Sequence, residues 1–333
     1  MLCIINNNTN PYFNLACEEY LVKNFTDECF MLWRDEPCIV VGKNQNTLSE
    51  INIDYIKEHN IPVVRRLSGG GAVFHDLGNL NFTFIINDKG SFNDFKKFTV
   101  PIINVLKEFG VNAEFSGRND LTIGGRKFSG NAQYNYKSRV LHHGTLLFSS
   151  KVTDLSSALM VKSLKFDDKA VKSVASRVTN ISEHLRCPLS LEEFKNRILQ
   201  HIMNESSSNI IYELSKKDIK SIQNLCDNKY STWEWDFGAS PKYSYSNERR
   251  FKGGTVEYHI DVEKGTIKSI RIFGDFFGEL NIEDIENALT GIKHNTKDIC
   301  KALKDYDIDK YFHNITLDEF VSGFFDAQCP EKQ

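Results

Sequence analysis

Apolar residues recur along the chain with two spacings, and caps and glycine turns mark where one gives way to the other. Asn10-Pro11 reads as an N-cap followed by proline at the first helical position; Phe13, Ala16, Cys17, Tyr20 and Leu21 then share one helical face, which places Cys17 in the core. Short strands follow at Phe30 to Trp33 and Cys38 to Gly42 around a Glu36-Pro37 turn, then a short helix near Ile53 to His59 and a strand-like run from Pro62 to Leu67. From Asn79 to Asn87 the period is two: Leu80, Phe82, Phe84 and Ile86 share one face, and Asn79, Asn81 and Thr83 the other. Ser91 is expected to cap a helix carrying Phe92, Phe95, Phe98, Ile102, Ile103, Leu106 and Phe109, kinked or divided at Pro101 and ended by Gly110.

Leu121 to Ile123, the turn Gly124-Gly125, and Arg126 to Tyr134 form a hairpin, and Arg139 to Phe148 adds a third strand. Ser190 with Glu193 makes a capping box for a helix to about Met203, and Ser215 caps another to about Cys226. This succession of antiparallel strands excludes a doubly wound parallel sheet. The class expected is α+β, with a mixed, mostly antiparallel sheet and flanking helices. Past Trp233 the composition becomes turn-rich. Thr255 to Val262, Lys264-Gly265 and Thr266 to Phe273 read as a second hairpin, with helices near Asn281 to Thr290, Thr296 to Leu303 and Thr316 to Asp326. The boundary falls between Pro241 and Arg250, giving domains of 1–245 and 246–333.

Composition narrows the function classes. A formal net charge of -3 does not suggest a general nucleic-acid or membrane-surface partner. Eight cysteines without CxxC or paired histidine spacing imply neither a zinc site nor a disulfide framework. No stretch reaches the roughly 18 apolar residues of a membrane span, and the start lacks a basic leader. A soluble protein of a reducing compartment, the cytoplasm, is expected. Lys162 to Lys172, rich in lysine and without periodicity, reads as a mobile loop or a solvated charge run.

Two segments carry candidate chemistry. In VRRLSGGGAVFHDLGN, Arg66 stands before Gly69-Gly70-Gly71, and Ala72-Val73-Phe74-His75-Asp76 follow. Three adjacent residues without side chains let a ligand lie against backbone N–H groups, and an arginine fork beside them suits phosphate or carboxylate. A plain glycine hairpin is the alternative; no Walker loop or GxGxxG fingerprint is present. In RNDLTIGGRKFSGNA, alternation puts Lys127, Ser129 and Asn131 on one face and Phe128 and Ala132 on the other, so that Lys127 crosses the face opposite the core with small residues around it. A solvated hairpin lysine is the competing reading. His75, His142 and His143 read best as satisfied structural histidines. Asn119 and Asp120 are open as substrate or magnesium ligands, and a turn explains them equally well.

RRLSGGGAVFHDLGN, GRNDLTIGGRKFSGNAQ, HHGTLLF, SVASRVTNI, WDFGASPKY and FGDFF occur in this order, and together they resemble bacterial lipoate–protein ligases through nearly the whole chain. The resemblance implies a catalytic domain similar to biotin–protein ligases and class II synthetases, plus a small C-terminal domain. It implies that ATP and lipoate form lipoyl-adenylate and pyrophosphate, with Mg²⁺, and that the lipoyl group then passes to a lysine of an apo lipoyl domain. Such acceptors are the acyltransferase subunits of 2-oxoacid dehydrogenases and the glycine cleavage H protein. By the same resemblance, Arg66, Gly71, Ala72, Val73 and Phe74 bind the nucleotide, Lys127 contacts lipoate and adenylate, and Gly70, Gly71 and His75 complete the lipoate set. Asp120 is a metal candidate, and a monomer is expected. Lys162 to Ser176 lies where the family has a loop that orders over the adenylate; the sequence is least alike there, so no contact is assigned. Two rivals are an octanoyl or lipoyl acyltransferase of the same fold, working through a cysteine thioester, and a non-catalytic protein that holds lipoyl-adenylate.

Overall fold

A computed structural model describes residues 1–45, 47–51, 53–87, 90–151, 177–237, 245–263 and 266–324. The lysine-rich stretch 162–172 and residues 241–244 of the boundary segment lie outside them. The chain forms two compact units. One comprises Met1–Val41, Thr47–Leu67 and Ala72–Phe237; the other comprises Gly42–Asn46, Ser68–Gly71 and Gly238–Gln333.

The first unit is built on an eight-stranded sheet. In chain order its strands are β1 (Leu2–Ile5), β2 (Cys29–Trp33), β6 (Asn79–Ile86), β7 (Ala113–Ser116), β8 (Asp120–Ile123), β9 (Arg126–Tyr136), β10 (Arg139–Leu147) and β11 (Ile210–Glu213), and the spatial order is β11-β1-β2-β6-β10-β9-β8-β7. Only the pairs made by β1 are parallel; every other neighbour pair is antiparallel. A smaller sheet, β4-β3-β5, holds β3 (Cys38–Val41), β4 (Val63–Arg65) and β5 (Val73–His75).

Opposed residues of antiparallel strands share a side, so the register sorts the large sheet into two faces. Phe30, Phe82, Phe84 and Phe128 point to one core, closed by helices Phe95–Glu108 and Leu191–Asn204 through Phe98, Ile102, Phe194 and Ile198. Met31, Trp33, Ile85 and Leu141 point to the other. There they meet α1 (Pro11–Asn24) and, from the small sheet, Cys38, Val40 and Val64. α1 begins as the sequence suggests: Asn10 accepts hydrogen bonds from the Tyr12 and Phe13 amides, and Pro11 takes the first turn. The capping boxes at Ser190 and Ser215 are both formed.

Two local expectations are corrected. Asp94, not Ser91, caps helix Phe95–Glu108, because its carboxylate accepts from the Lys97 amide. That helix also runs through Pro101 undivided, since its buried apolar stripe is worth more than one missing backbone hydrogen bond.

In the second unit β12 (Tyr245–Phe251), β13 (Gly254–Glu263) and β14 (Thr266–Gly274) form an antiparallel sheet, with helices Glu283–Leu289, Thr296–Leu303, Ile308–Tyr311 and Leu317–Ser322 packed on it around Tyr258, Ile272, Phe312 and Phe320. The hairpin is where the sequence placed it. The first strand, β12, falls where the sequence suggested only the domain boundary.

Candidate functional site

The glycine turn of the β8–β9 hairpin is the tight left-handed kind, with φ of +57° at Gly124 and +75° at Gly125. Beyond it the register slips. Ile123 faces Arg126, Thr122 faces Lys127, Leu121 faces Ser129 and Asp120 faces Gly130, so Phe128 opposes nothing. This β-bulge buries Phe128 completely in the first core and changes the faces on either side of it. Lys127 shares its side with Thr122, Asp120 and Gly130. Ser129 and Asn131 lie on the other, with Leu121. The expected grouping of Ser129 and Asn131 with Lys127 is therefore corrected: strict alternation holds only where no residue is inserted.

The face that carries Lys127 continues across the sheet. Gly130 donates its N–H to Thr145 Oγ1 at 3.1 Å; the register then gives Asn81 beside Thr145, and Thr83 beside His143. The polar stripe Asn79, Asn81, Thr83 thus lies opposite the apolar face, as its period suggests, and it is buried. Trp33 Nε1 donates to Thr83 Oγ1 (2.9 Å), Thr83 donates to Glu18 Oε1 (2.6 Å), and His143 Nδ1 lies 2.9 Å from Glu18 Oε2. Glu18 comes from α1, a helix buried on nearly every side.

The small sheet faces this stripe. Cys38, Val40, Val64, Val73 and His75 share its inner side. His75 Nδ1 lies 2.8 Å from Asp35 Oδ2, Asn14 donates to Asp35 Oδ1 at 2.8 Å, and Asn81 Nδ2 reaches His75 at 3.4 Å. Two buried polar atoms in this network, His75 Nε2 and Asn79 Oδ1, have no partner among the described residues, the pattern expected where a ligand or water completes the bonding. Asp35, Cys38 and His75 bring their ligand atoms within 4.8 Å of one another. Burial and the adjacent Asp35 push the Cys38 thiol well above its usual value, so it is a hydrogen-bonded core thiol and not a thiolate.

Arg66 is buried, and its guanidinium donates to the Val40 carbonyl at 3.1 Å. Burial lowers its pKa to about 10, with the Glu18 charge acting in the opposite direction. Its neighbour Arg65 faces away and is held by the Trp235 and Asp236 carbonyls. Phe74 packs into the small core with Ile39 and Val63, so only its backbone is available to a ligand. Val73 packs with the inner cluster.

The three glycines differ. A side chain on Gly69 would strike the Phe276 carbonyl; Gly70 has φ of +93°; a Cβ on Gly71 would meet nothing within 4 Å among the described residues. Gly69 therefore serves packing, Gly70 the turn, and Gly71 leaves an open approach to the backbone.

His142 is a core residue, stacked on Phe98 with centroids 4.6 Å apart and held by burial well below the usual histidine range. Sequence reasoning missed Glu18, Trp33 and Asp35. The one available signal was an acidic residue in a helix with no solvated face.

The fold and this cluster define a class: an α+β protein whose buried cation and polar groups lie between two sheets, with an ammonium on the same face of the larger sheet. Residues 10–203 match the family described as lipoyl protein ligase A/B catalytic domain, and residues 240–324 match the bacterial lipoate protein ligase C-terminus. The chain is 46% identical over 327 residues to a lipoate-protein ligase of Bacillus subtilis, covering 96% of this chain and 99% of that protein. It is 47% identical over 325 residues to lipoate–protein ligase 1 of Staphylococcus aureus, with the same coverage of 96% and 99%. Among solved structures, that of P. falciparum LipL1 in complex with lipoate aligns with a TM-score of 0.79 at 28% identity, over 96% of this chain and 97% of that one. A lipoate-protein ligase A bound with ATP aligns with a TM-score of 0.62 at 26% identity, over 71% and 98%. The chain belongs to the lipoate–protein ligase family.

Proposed function

We propose that the protein activates free lipoate with ATP to lipoyl-adenylate and then acylates a lysine of apo lipoyl domains, those of 2-oxoacid dehydrogenase acyltransferase subunits and of the glycine cleavage H protein. The observation that carries this reading is the bulged strand: it sets Lys127 on the same sheet face as the buried polar cluster. The backbone of Lys127 is pinned on both sides, donating to the Arg177 carbonyl at 2.8 Å and accepting from the Thr179 amide at 2.9 Å.

A carboxylate is a poor acyl donor, and adenylation gives it a leaving group. Attack of the lipoate oxygen on the α-phosphate, with pyrophosphate leaving, gathers negative charge, which the Lys127 ammonium, the Arg66 guanidinium and the backbone at Ala72 and Val73 stabilise by fixed donors. Lys127 then holds the adenylate while the acceptor amine attacks the acyl carbon and AMP departs. His75, oriented by Asp35, offers its unpartnered Nε2 to the lipoate end. Asp120, whose Oδ1 lies 2.8 Å from Lys127 Nζ, would offer its hard oxygens to Mg²⁺, and the ion would neutralise charge at the phosphates. Two rivals lose support on specific residues. A thioester route needs a reactive thiol, and Cys38, the cysteine in the cluster, is a buried neutral one. A mere adenylate holder does not need a pinned lysine. Lipoate-dependent exchange of labelled pyrophosphate into ATP, without acceptor protein, tests the first half-reaction; no exchange, alongside transfer from an octanoyl carrier protein, would favour the thioester rival.

A further inference from the structure

Lys127 is not a free cation. Its Nζ lies 2.8 Å from Asp120 Oδ1, and among the described residues this carboxylate is its ion-pair partner. The partner is not the residue opposite, which is Thr122, but the diagonal one across the bulge. To reach it the lysine crosses the residue that opposes Asp120, which is Gly130. A Cβ there would stand 3.1 Å from Lys127 Nζ, 3.2 Å from its Cε and 3.9 Å from Asp120 Oδ1. The backbone at Gly130 has no positive φ, so its conformation does not call for glycine; a side chain there would press on the lysine that lies over it.

We propose that Asp120 is the resting counter-ion of Lys127, seated over Gly130, and that it competes with the carboxylate of the incoming acyl substrate. The inference rests on the ligase reading and adds a specificity element to it. The ammonium that receives a fatty-acid-like carboxylate is already neutralised, so an anionic acyl ligand must displace Asp120 before it binds. Both partners are partly exposed, at 42% and 35% of their side chains. A pair of that kind is weak, which suits a contact that must open in every catalytic cycle. It sets a modest threshold and leaves the rest of the ligand's binding untouched.

The test is calorimetric titration of the full-length protein with lipoate and with neutral lipoamide, in buffer without nucleotide or divalent metal. Asp120→Asn keeps the shape and removes the charge, and should bind lipoate about two- to fivefold more tightly than the wild type. Lipoamide, which has no carboxylate to compete, should bind the two proteins equally, and Asp120→Glu should behave as wild type. In a Lys127→Ala background the same Asp120→Asn change should give no gain. Unchanged or weaker lipoate binding by Asp120→Asn overturns the proposal. So does a gain that persists without Lys127, since that would mean simple repulsion of the ligand by Asp120. A wild-type protein that binds neither ligand would instead count against the ligase reading itself.

Discussion

Lys127→Ala separates a catalytic lysine from a solvated hairpin lysine. The structure supplies a matched control in Arg126, the preceding residue of the same strand. The two side chains are about equally exposed, 42% for Lys127 and 44% for Arg126, and among the described residues each pairs with a carboxylate: Asp120 at 2.8 Å and Glu183 at 3.9 Å. Partly exposed pairs stabilise a fold by at most about 1 kcal/mol, so neither alanine should lower the melting temperature by more than a few degrees. Catalysis should divide them. Losing one fixed donor to a charge that develops in the transition state costs about 2–4 kcal/mol, or roughly 30- to 1,000-fold in rate. Lys127→Ala should lose that factor in adenylation and again in transfer from supplied lipoyl-adenylate, while Arg126→Ala stays near wild type. Lys127→Arg keeps the charge on a longer planar group and should recover only part of the rate. The assay is single-turnover kinetics of each half-reaction, with folding checked by circular dichroism. Equal rates for the two alanine variants would show that the ammonium takes no part in the chemistry.

Gly71→Val should fold and melt like the wild type yet lose nucleotide binding by calorimetry, whereas Gly69→Ala, aimed at the Phe276 carbonyl, should lower the melting temperature; the reverse order would misplace the ligand. Burial pushes the Asp236 carboxyl up to about 8, against the opposing effects of the Arg65 amide and charge. Its folded pKa exceeds the unfolded one, so the stability it contributes is full below about 4 and is lost as pH rises toward about 8. His142, held low by burial, acts oppositely: its contribution is lost as pH falls below about 6.5. Melting temperature against pH should therefore fall less steeply between about pH 4 and 8 in Asp236→Asn, and an unchanged profile would refute the assignment. We also expect a chain ending at Phe237 to retain transfer from supplied lipoyl-adenylate while activating lipoate poorly; parallel loss of both steps would contradict this division of labour.

Much of this was legible because it is local. Caps, the Gly124-Gly125 turn and the period-two run from Asn79 state their own geometry within a few residues, and so do the glycine loop and its arginine. What escaped was set by distant pairing. Nothing in RKFSGNA announces that Phe128 will be squeezed out of register, yet that insertion decides which residues accompany Lys127. Glu18 was hidden for the opposite reason. The α1 helix is sandwiched on nearly all sides, so its apolar stripe does not reveal which face looks onto the polar cluster. Phe74 joins a core formed with Ile39 and Val63 from separate strands, a partnership visible only after the small sheet is assembled.

The most direct measurement is intact-protein mass spectrometry of an apo lipoyl domain incubated with the protein, lipoate and ATP. The account predicts a gain of one lipoyl group on the acceptor lysine. That gain should require both ATP and lipoate and should disappear with Lys127→Ala. An acceptor that stays unmodified with free lipoate and ATP, but gains an acyl group from an acylated carrier protein, would contradict it.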